Sequence, residues 1–318
     1  SLCIYSPQEN VDSLKHPKIK NWIEFIKKDW EPNPTPKGYK RLALIIPCTK
    51  YKPYITSREH KAINSSLLMD GWEPIGESNA PSELTKFIED GDDPKIFHEG
   101  SLKKGNLILD RIVISEPLGL VPYEYIYFWK GEQSPATSYD DPGLFESRGT
   151  SISPYRDDCT ALKVGDKKWK WGDSERNSYV YMHNYLAELI AFSLKRVSKN
   201  YHSIVAWVSP GLTHRSFLAD HKTRTMEGIP KSRKVNGESK KLGGVLDITP
   251  KILEIMPTIK ELKLSQQNLE KRLKKEGRYS SPNSVLSVYA RGDGNDTPLG
   301  LKETLEFLQK RLNQISNK

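Results

Sequence analysis

The sequence predicts an α/β protein with an open, mostly parallel sheet, flanking helices and a small, mainly helical C-terminal module. Three short apolar runs, 42–46, 107–114 and 204–208, have the length and continuity of strands buried in a parallel sheet. Between the last two runs, apolar residues over 179–197 recur at the spacing of an amphipathic helix. Strands that alternate with helices are typical of α/β sheets, whose ligands bind beyond the carboxyl ends of the strands. The predicted sheet is therefore Rossmann-like.

The other segments complete this architecture. An amphipathic helix begins at His16-Pro17 and ends before the proline-rich segment 31–36, because proline cannot continue a helix. Residues 135–172 are rich in Gly, Pro, Ser and Asp, which predicts a long excursion from the core. The many basic and few apolar residues of 221–241 predict a mobile basic loop. Helices are predicted over 258–276 and 301–312, with a strand or short helix at 285–290. The predicted domains are an α/β core at 1–220, a basic loop or linker at 221–245 and a basic, mainly helical module at 246–318.

Positive charge is unevenly distributed along the 318 residues. Residues 1–194 contain 25 Lys and Arg against 28 Asp and Glu, whereas residues 195–318 contain 24 against 12. The net charge of +9 therefore comes entirely from the C-terminal part of the chain. Such an asymmetry indicates a polyanion, and nucleic acid in particular, as a partner.

Composition excludes several classes of protein. No apolar run reaches the roughly 18 residues of a membrane helix, so no membrane association is expected. The cysteines, Cys3, Cys48 and Cys159, lack paired spacing, so neither a disulfide framework nor a cysteine zinc site is expected. The histidines lack zinc spacing as well, and no metal is predicted. Residues 1–10 lack the pattern of a secretory signal, and the expected compartment is the reducing cytoplasm.

The segment from Pro47 to His60 carries the densest reactive chemistry. It follows the first predicted strand and places a thiol, two lysines, two tyrosines, a serine, an arginine and a histidine within 14 residues. Lysines lower the pKa of a nearby thiol and make it a better nucleophile, and histidine is the commonest proton carrier. A loop of this kind at the carboxyl end of a strand is a candidate active site. The residues alone also allow Cys48 as a buried apolar group and His60 as a capping or exposed residue.

The order of residues in this loop resembles the signature of the archaeosine synthase alpha subunit family. The pattern Pro-Cys-x3-Lys-Pro-Tyr-x2-Ser-x2-His matches at seven specified positions. Residues 115–124, Ser-Glu-Pro-Leu-Gly-Leu-Val-Pro-Tyr-Glu, are similar to the family's Ser-Pro-Leu-Gly-Val-Val-Pro-Arg-Glu block with one residue inserted. Residues 135–140 are similar to its Pro-Ala-x-x-Tyr-Asp block. The similarity covers roughly residues 15–140.

The chain also departs from the family pattern. Tyr123 stands where the family has arginine, and the family's Gly-x-Trp does not follow Asp140. The transglycosylase-like region and the RNA-binding PUA domain of full-length members are not recognisable in this sequence. A compact or divergent member that holds RNA through its own C-terminal part is therefore expected.

The resemblance implies a reaction on tRNA. The family adds the side-chain amine of free lysine to the nitrile of 7-cyano-7-deazaguanine in the D-loop, which gives an amidine. A radical S-adenosylmethionine partner enzyme then cleaves the adduct to archaeosine, and the addition itself requires no cofactor. Two mechanisms remain open. In one, Cys48 attacks the nitrile and lysine displaces the resulting thioimide; in the other, lysine attacks directly and Cys48 only packs or donates a weak hydrogen bond.

The resemblance and the charge pattern together give the candidate site residues. The catalytic candidates are Cys48, Lys52, Ser57 and His60, with His60 as the acid/base. The candidates for substrate binding are Tyr54, Ser115, Gly119, Glu124, Tyr139 and Asp140. The candidates for RNA backbone binding are Lys231, Arg233, Lys234, Lys271, Arg272, Lys274, Lys275 and Arg278.

Two other functions are compatible with the same sequence. The first is another enzyme of 7-deazaguanine chemistry that acts on tRNA or DNA, because several family blocks are missing. The second is a non-catalytic tRNA-binding subunit of a modification complex. The intact loop from Pro47 to His60 argues against the second alternative.

Overall fold

The structure is a computed structural model that describes residues 2–141, 143–211, 213–290 and 298–316. Within these residues the helices are α1 (Pro7–Ser13), α2 (Pro17–Lys28), α3 (Arg58–Met69), α4 (Asp173–Val197), α5 (Thr213–Leu218), α6 (His221–Glu227), α7 (Val245–Ile248), α8 (Ile259–Lys275), α9 (Pro282–Ala290) and α10 (Lys302–Ser316). The strands are β1 (Leu2–Cys3), β2 (Lys40–Pro47), β3 (Glu73–Pro74), β4 (Leu102–Lys104), β5 (Leu107–Ser115), β6 (Gly119–Pro122), β7 (Phe128–Trp129), β8 (Glu132–Gln133), β9 (Tyr139–Asp140), β10 (Leu162–Gly165), β11 (Lys168–Lys170), β12 (Ser203–Trp207), β13 (Ser232–Val235), β14 (Glu238–Lys241) and β15 (Glu254–Met256).

A seven-stranded mixed sheet forms the centre of the molecule, in the order β15-β12-β2-β5-β4-β3, with β6 also paired to β5. The pairs β15–β12, β12–β2 and β2–β5 are parallel, whereas β3, β4 and β6 join by antiparallel pairing. The predicted α/β class with flanking helices is confirmed. The sheet is mixed and not clearly Rossmann-like, because the short connections from β4 to β5 and from β5 to β6 leave no room for a crossover.

The predicted strands form the core of this sheet. The runs 42–46, 107–114 and 204–208 correspond to β2, β5 and β12, and the strand predictions are confirmed. Residues 42–46 are completely buried, because β2 is hydrogen bonded on both sides and its two faces are covered. A strand in this position cannot alternate apolar with polar residues, which explains its continuous apolar sequence.

The predicted helices are also present, and their ends follow local signals. Pro17 occupies the first helical position of α2, where its missing N–H costs nothing. Thr258 and Glu261 form a reciprocal capping box that starts α8. The segment 285–290, which the sequence left open between strand and helix, belongs to helix α9. None of the helices within the described ranges combines the length and the apolar character that a membrane span requires.

The basic segment 221–241 is not a loop, in contrast to the prediction. It contains helix α6 and the antiparallel hairpin β13–β14. Asn236 and Gly237 at the tip have φ angles of 50° and 81°, as tight hairpin turns require, and the Asn-Gly pair is the sequence signal for such a turn. The high charge of the strands obscured this signal in the sequence.

The C-terminal residues pack on the core. Strand β15, which lies within the predicted module at 246–318, pairs with β12 at the edge of the central sheet. Gln309 of α10 donates to the Ser66 hydroxyl of α3 at 2.8 Å, and the Trp207 indole donates to the Leu299 carbonyl at 3.2 Å. These contacts tie the C-terminal helices to the α/β core.

Gly119 provides a test of the turn between β5 and β6. Its φ is +77°, and an added Cβ would lie 2.7 Å from Leu189 Cδ2 of α4. We expect Gly119→Ala to lower the free energy of unfolding by about 1–3 kcal/mol, through backbone strain and this collision. Gly243→Ala is the matched control, because a Cβ there meets nothing within 4 Å. Urea unfolding of both variants checks this, and equal stability of the two would contradict the expectation.

Candidate active site

The carboxyl ends of three adjacent parallel strands meet at one edge of the sheet. Cys48 directly follows β2, Ser115 ends β5, and helix α5 with His214 follows β12. The Cys48 amide donates to the Ile114 carbonyl at 2.9 Å, which extends the pairing of β2 with β5 as far as the thiol. The parallel pairing therefore places side chains from three distant parts of the chain around Cys48.

A cysteine and a histidine are in contact at this edge. Cys48 Sγ lies 3.2 Å from His214 Nε2. Burial raises the pKa of the Cys48 thiol to about 11 and lowers the pKa of His214 to about 4. Both groups are therefore neutral at pH 7, and the imidazole is able to accept the thiol proton when the sulfur attacks an electrophile.

Two carboxyl groups, those of the half-buried Glu116 and the buried Asp141, lie near this pair. Burial raises the pKa of Glu116 to about 8, and it also raises the pKa of Asp141. Asn10 of α1 donates its Nδ2–H to Glu116 Oε2 at 2.7 Å, while the buried Asn10 Oδ1 has no hydrogen-bond partner in the structure. Among the described residues, no group of three or more His, Cys, Asp or Glu side chains is arranged to hold a metal ion.

Lys52 and a cluster of hydroxyl groups line the same region. The Lys52 ammonium donates to the Thr49 carbonyl at 2.7 Å and lies 4.7 Å from the centre of the Tyr139 ring. Burial lowers the pKa of Lys52, while the Lys52 charge itself opposes the rise in the thiol pKa. The Tyr54 hydroxyl lies 2.8 Å from Ser115 Oγ and 2.9 Å from the Tyr139 hydroxyl. The structure thus brings Cys48, Lys52 and these three predicted residues together.

His60 and Ser57 lie behind this region and make internal contacts. The His60 Nε2–H donates to the Pro47 carbonyl at 2.8 Å, so Nδ1 accepts from the Tyr123 hydroxyl at 2.7 Å. Burial lowers the pKa of His60 to about 4. Ser57 is the N-cap of α3 and accepts from the His60 amide at 3.2 Å. Both ring nitrogens of His60 are therefore occupied, and the histidine in contact with the thiol is His214.

Three predicted substrate-binding residues lie elsewhere or have other contacts. Glu124 lines a cavity of about 300 Å³ with Arg41 and Asp110, near the amino ends of β2 and β5. Asp140 is exposed and accepts a hydrogen bond from the Tyr5 hydroxyl at 2.7 Å. The carboxyl group near the thiol belongs to the next residue, Asp141. Gly119 packs against α4.

The predicted RNA-binding residues fall into two groups. Lys231, Arg233 and Lys234 belong to the hairpin β13–β14 or directly precede it. The others lie on α8 or just after it, and several are paired with acidic groups. The ion pairs are Arg272 with Glu303 at 2.5 Å, Lys274 with Glu270 at 2.6 Å and Arg278 with Glu276 at 3.1 Å.

Sequence reasoning missed His214, Glu116, Asp141 and Asn10. Positional signals existed for three of them, because Glu116 and Asp141 each follow a predicted site residue and His214 lies shortly after the third strand. Asn10 had no such signal. Its proximity to Glu116 depends on the packing of α1 against the core, which no local pattern encodes.

The neutral state of the thiol predicts its reactivity. Because burial raises the pKa of Cys48 from 9.0 to about 11, the thiolate fraction is small at pH 7 and grows with pH. We expect the iodoacetamide labelling rate of Cys48 to rise about tenfold per pH unit between pH 7 and pH 10. Mass spectrometry of the labelled peptide measures this rate, with the exposed Cys3 as the internal reference. A plateau of the Cys48 rate below pH 8 would show that the resting state is a thiolate.

Comparisons with known proteins do not assign the chain to a family. No protein-family model, curated protein or solved structure matches it. The similarity to the archaeosine synthase alpha subunit family therefore rests on the short motifs of the loop 47–60 and of residues 115–124 and 135–140.

Proposed function

We propose that this protein is a tRNA-modifying enzyme of archaeosine biosynthesis, which adds the side-chain amine of free lysine to the nitrile of 7-cyano-7-deazaguanine in the tRNA D-loop. The observation that carries the proposal is the contact of 3.2 Å between His214 Nε2 and the Sγ of Cys48, the cysteine of the loop that resembles the family signature. A neutral thiol paired with a neutral imidazole suits a neutral electrophile such as a nitrile.

In the first step, Cys48 attacks the nitrile carbon and a carbon–sulfur bond forms. His214 takes the thiol proton and delivers it to the nitrile nitrogen, which gives a neutral thioimide. The Lys52 ammonium stabilises the negative charge that develops on this nitrogen, because it lies in the same buried region as the thiol.

In the second step, the lysine amine displaces the sulfur. The amine arrives as an ammonium ion and must lose a proton before it attacks the thioimide carbon. Glu116 and Asp141 bind the ammonium, and the minor carboxylate form of Glu116 accepts its proton. Because burial raises the pKa of this group to about 8, its carboxylate is a stronger base than that of an ordinary glutamate. The unpartnered Asn10 Oδ1 provides a further acceptor for the amine. The carbon–sulfur bond then breaks, and His214 transfers a second proton from the attacking nitrogen to the leaving sulfur, which gives the amidine and restores the Cys48 thiol.

The proposal includes the partners that the resemblance implies. The modified base leaves its stack to reach the strand ends, and the basic C-terminal part contacts the tRNA backbone. A radical S-adenosylmethionine enzyme cleaves the amidine adduct in the following step. The protein acts in the cytoplasm, where tRNA and free lysine are present, and the addition uses no cofactor.

The Cys48→Ala variant tests the covalent route. With labelled lysine and tRNA that carries the cyano base, we expect the variant to lose more than about 99% of label incorporation into RNA, because the nucleophile is absent. Cys159→Ala is the matched control, since Cys159 lies near Glu175 of α4 and has no contact with the pair. Near-normal incorporation by Cys48→Ala would leave only direct attack by lysine. Absence of incorporation by the wild-type protein would remove the proposed function.

Substitutions of His214 and His60 distinguish the proposed proton carrier from a structural histidine. We expect His214→Asn to lower kcat about 100-fold or more with little change in stability, because the proton carrier at the thiol is lost. His60→Gln should lower the free energy of unfolding by about 1–3 kcal/mol, because Pro47 and Tyr123 lose their buried partner. Its kcat should fall less than tenfold. The opposite ranking of the two kcat values would return the acid/base role to His60.

A further inference from the structure

Two β-hairpins carry a concentration of positive charge outside the candidate active site. The first, residues 162–170, contains β10 and β11, and the second, residues 231–241, contains β13 and β14. Together they hold nine Lys and Arg residues against two acidic residues, Asp166 and Glu238. We refer to these residues as the two-hairpin surface.

Both hairpins attach to the amino-terminal end of α4. The Asn236 amide in the second hairpin donates to Asp173 Oδ1 at 2.9 Å, and Lys240 donates to Asn177 Oδ1 at 2.7 Å. The first hairpin ends at Lys170, immediately before α4 begins at Asp173. The second hairpin is thus hydrogen bonded to the first turns of α4, and the first hairpin leads directly into the same turns.

The first hairpin is almost completely open to solvent. Its lysines, Lys163, Lys167, Lys168 and Lys170, are exposed and form no ion pair within the described residues. Leu162 and Val164 are 67% and 57% exposed, although apolar side chains in strands usually pack on a core. A two-stranded hairpin without a core is marginally stable alone, so this composition is typical of an element that a partner covers.

The second hairpin links this surface to the candidate active site. The Arg233 guanidinium lies 5.4 Å from the centre of the Tyr179 ring. The centre of the Tyr179 ring lies 5.9 Å from that of His183, and the Phe217 ring lies 4.9 Å from His183 and 6.4 Å from His214. A row of aromatic rings therefore connects the second hairpin with the Cys48–His214 pair.

We propose that the two-hairpin surface binds the phosphate backbone of a folded RNA and presents one of its bases to the strand ends. Exposed lysines without acidic partners are suited to phosphates, because binding releases the condensed counterions of the nucleic acid. Among the described residues, Arg233 is the one basic residue of this surface in an ion pair, with Glu146 at 3.5 Å, whereas Arg272, Lys274 and Arg278 in and after α8 are all paired with carboxylates. This inference rests on the proposed function for the choice of tRNA as the ligand. It does not depend on the chemistry at Cys48.

Fluorescence anisotropy with end-labelled tRNA between 50 and 200 mM KCl tests the surface. The variant carries Lys163→Gln, Lys167→Gln, Lys168→Gln and Lys170→Gln. We expect its Kd to rise at least about tenfold at 100 mM KCl, and the slope of log K against log salt to fall by about three, as expected for four lost phosphate contacts. The matched control replaces the same number of lysines on α2, namely Lys18, Lys20, Lys27 and Lys28, with glutamine and should bind within about twofold of the wild type.

Equal Kd values for the hairpin and α2 variants would overturn the proposal, whether both remain tight or both become weak. Tighter binding of the wild type to phosphatidylserine vesicles or to polyglutamate than to tRNA would overturn the choice of RNA. Acetylation of wild-type lysines gives a second measurement that does not depend on the folding of a variant. Bound tRNA should protect Lys163, Lys167 and Lys168 from acetylation and leave Lys18 and Lys20 reactive, and the reverse pattern would overturn the proposal.

The binding experiment uses unmodified tRNA and no lysine, so its result does not depend on adduct formation. Hairpin-dependent binding without any adduct would remove the proposed reaction and keep the interface. Adduct formation with hairpin variants that bind tRNA as tightly as the wild type would keep the reaction and remove the interface.

Discussion

The parallel pairing of β2 with both β12 and β5 is the constraint on which the rest of the structure depends. Residues 42–46 are hydrogen bonded on both edges and covered on both faces, so they provide the most completely buried part of the core. The same pairing aligns the carboxyl ends of three strands, which lie more than 60 residues apart in sequence. Cys48, Ser115 and His214 are neighbours because those strands run in the same direction.

Burial also determines the protonation of the site at rest. Desolvation disfavours every charged form, so the thiol, the imidazole and the nearby carboxyl groups all shift toward neutrality. The electrophile of the proposed reaction, a nitrile, is also neutral, which suits a resting thiol and imidazole that carry no charge. Under the same proposal, the raised pKa of Glu116 makes its carboxylate a stronger base toward the incoming amine than an ordinary glutamate.

The sequence predicted the parts of the fold and site that local patterns encode. Continuous apolar runs gave the three central strands, and helical periodicity gave α2, α4 and α8. The loop motif gave Cys48, Lys52 and Tyr54, which the structure places together. Local patterns did not encode the antiparallel strands of the central sheet or the partner of the thiol. These depend on which distant segments pack together, and His214 is 166 residues from Cys48 in the chain. The hairpin at 232–241 has a local signal, Asn236-Gly237, which the high charge of its strands obscured.

Charge along the chain and charge on the surface are different quantities, and their difference bears on where the proposed RNA would bind. Residues 195–318 have the excess of basic residues, yet α8 uses part of that excess in ion pairs with Glu270, Glu276 and Glu303. The hairpin 162–170 lies within residues 1–194, which are acidic overall, and its lysines have no acidic partners within the described residues. Because counterion release depends on unpaired surface charge, the unpaired lysines of this short hairpin are better suited to the proposed phosphate contacts than Arg272 and Lys274 of α8, whose charges are already paired.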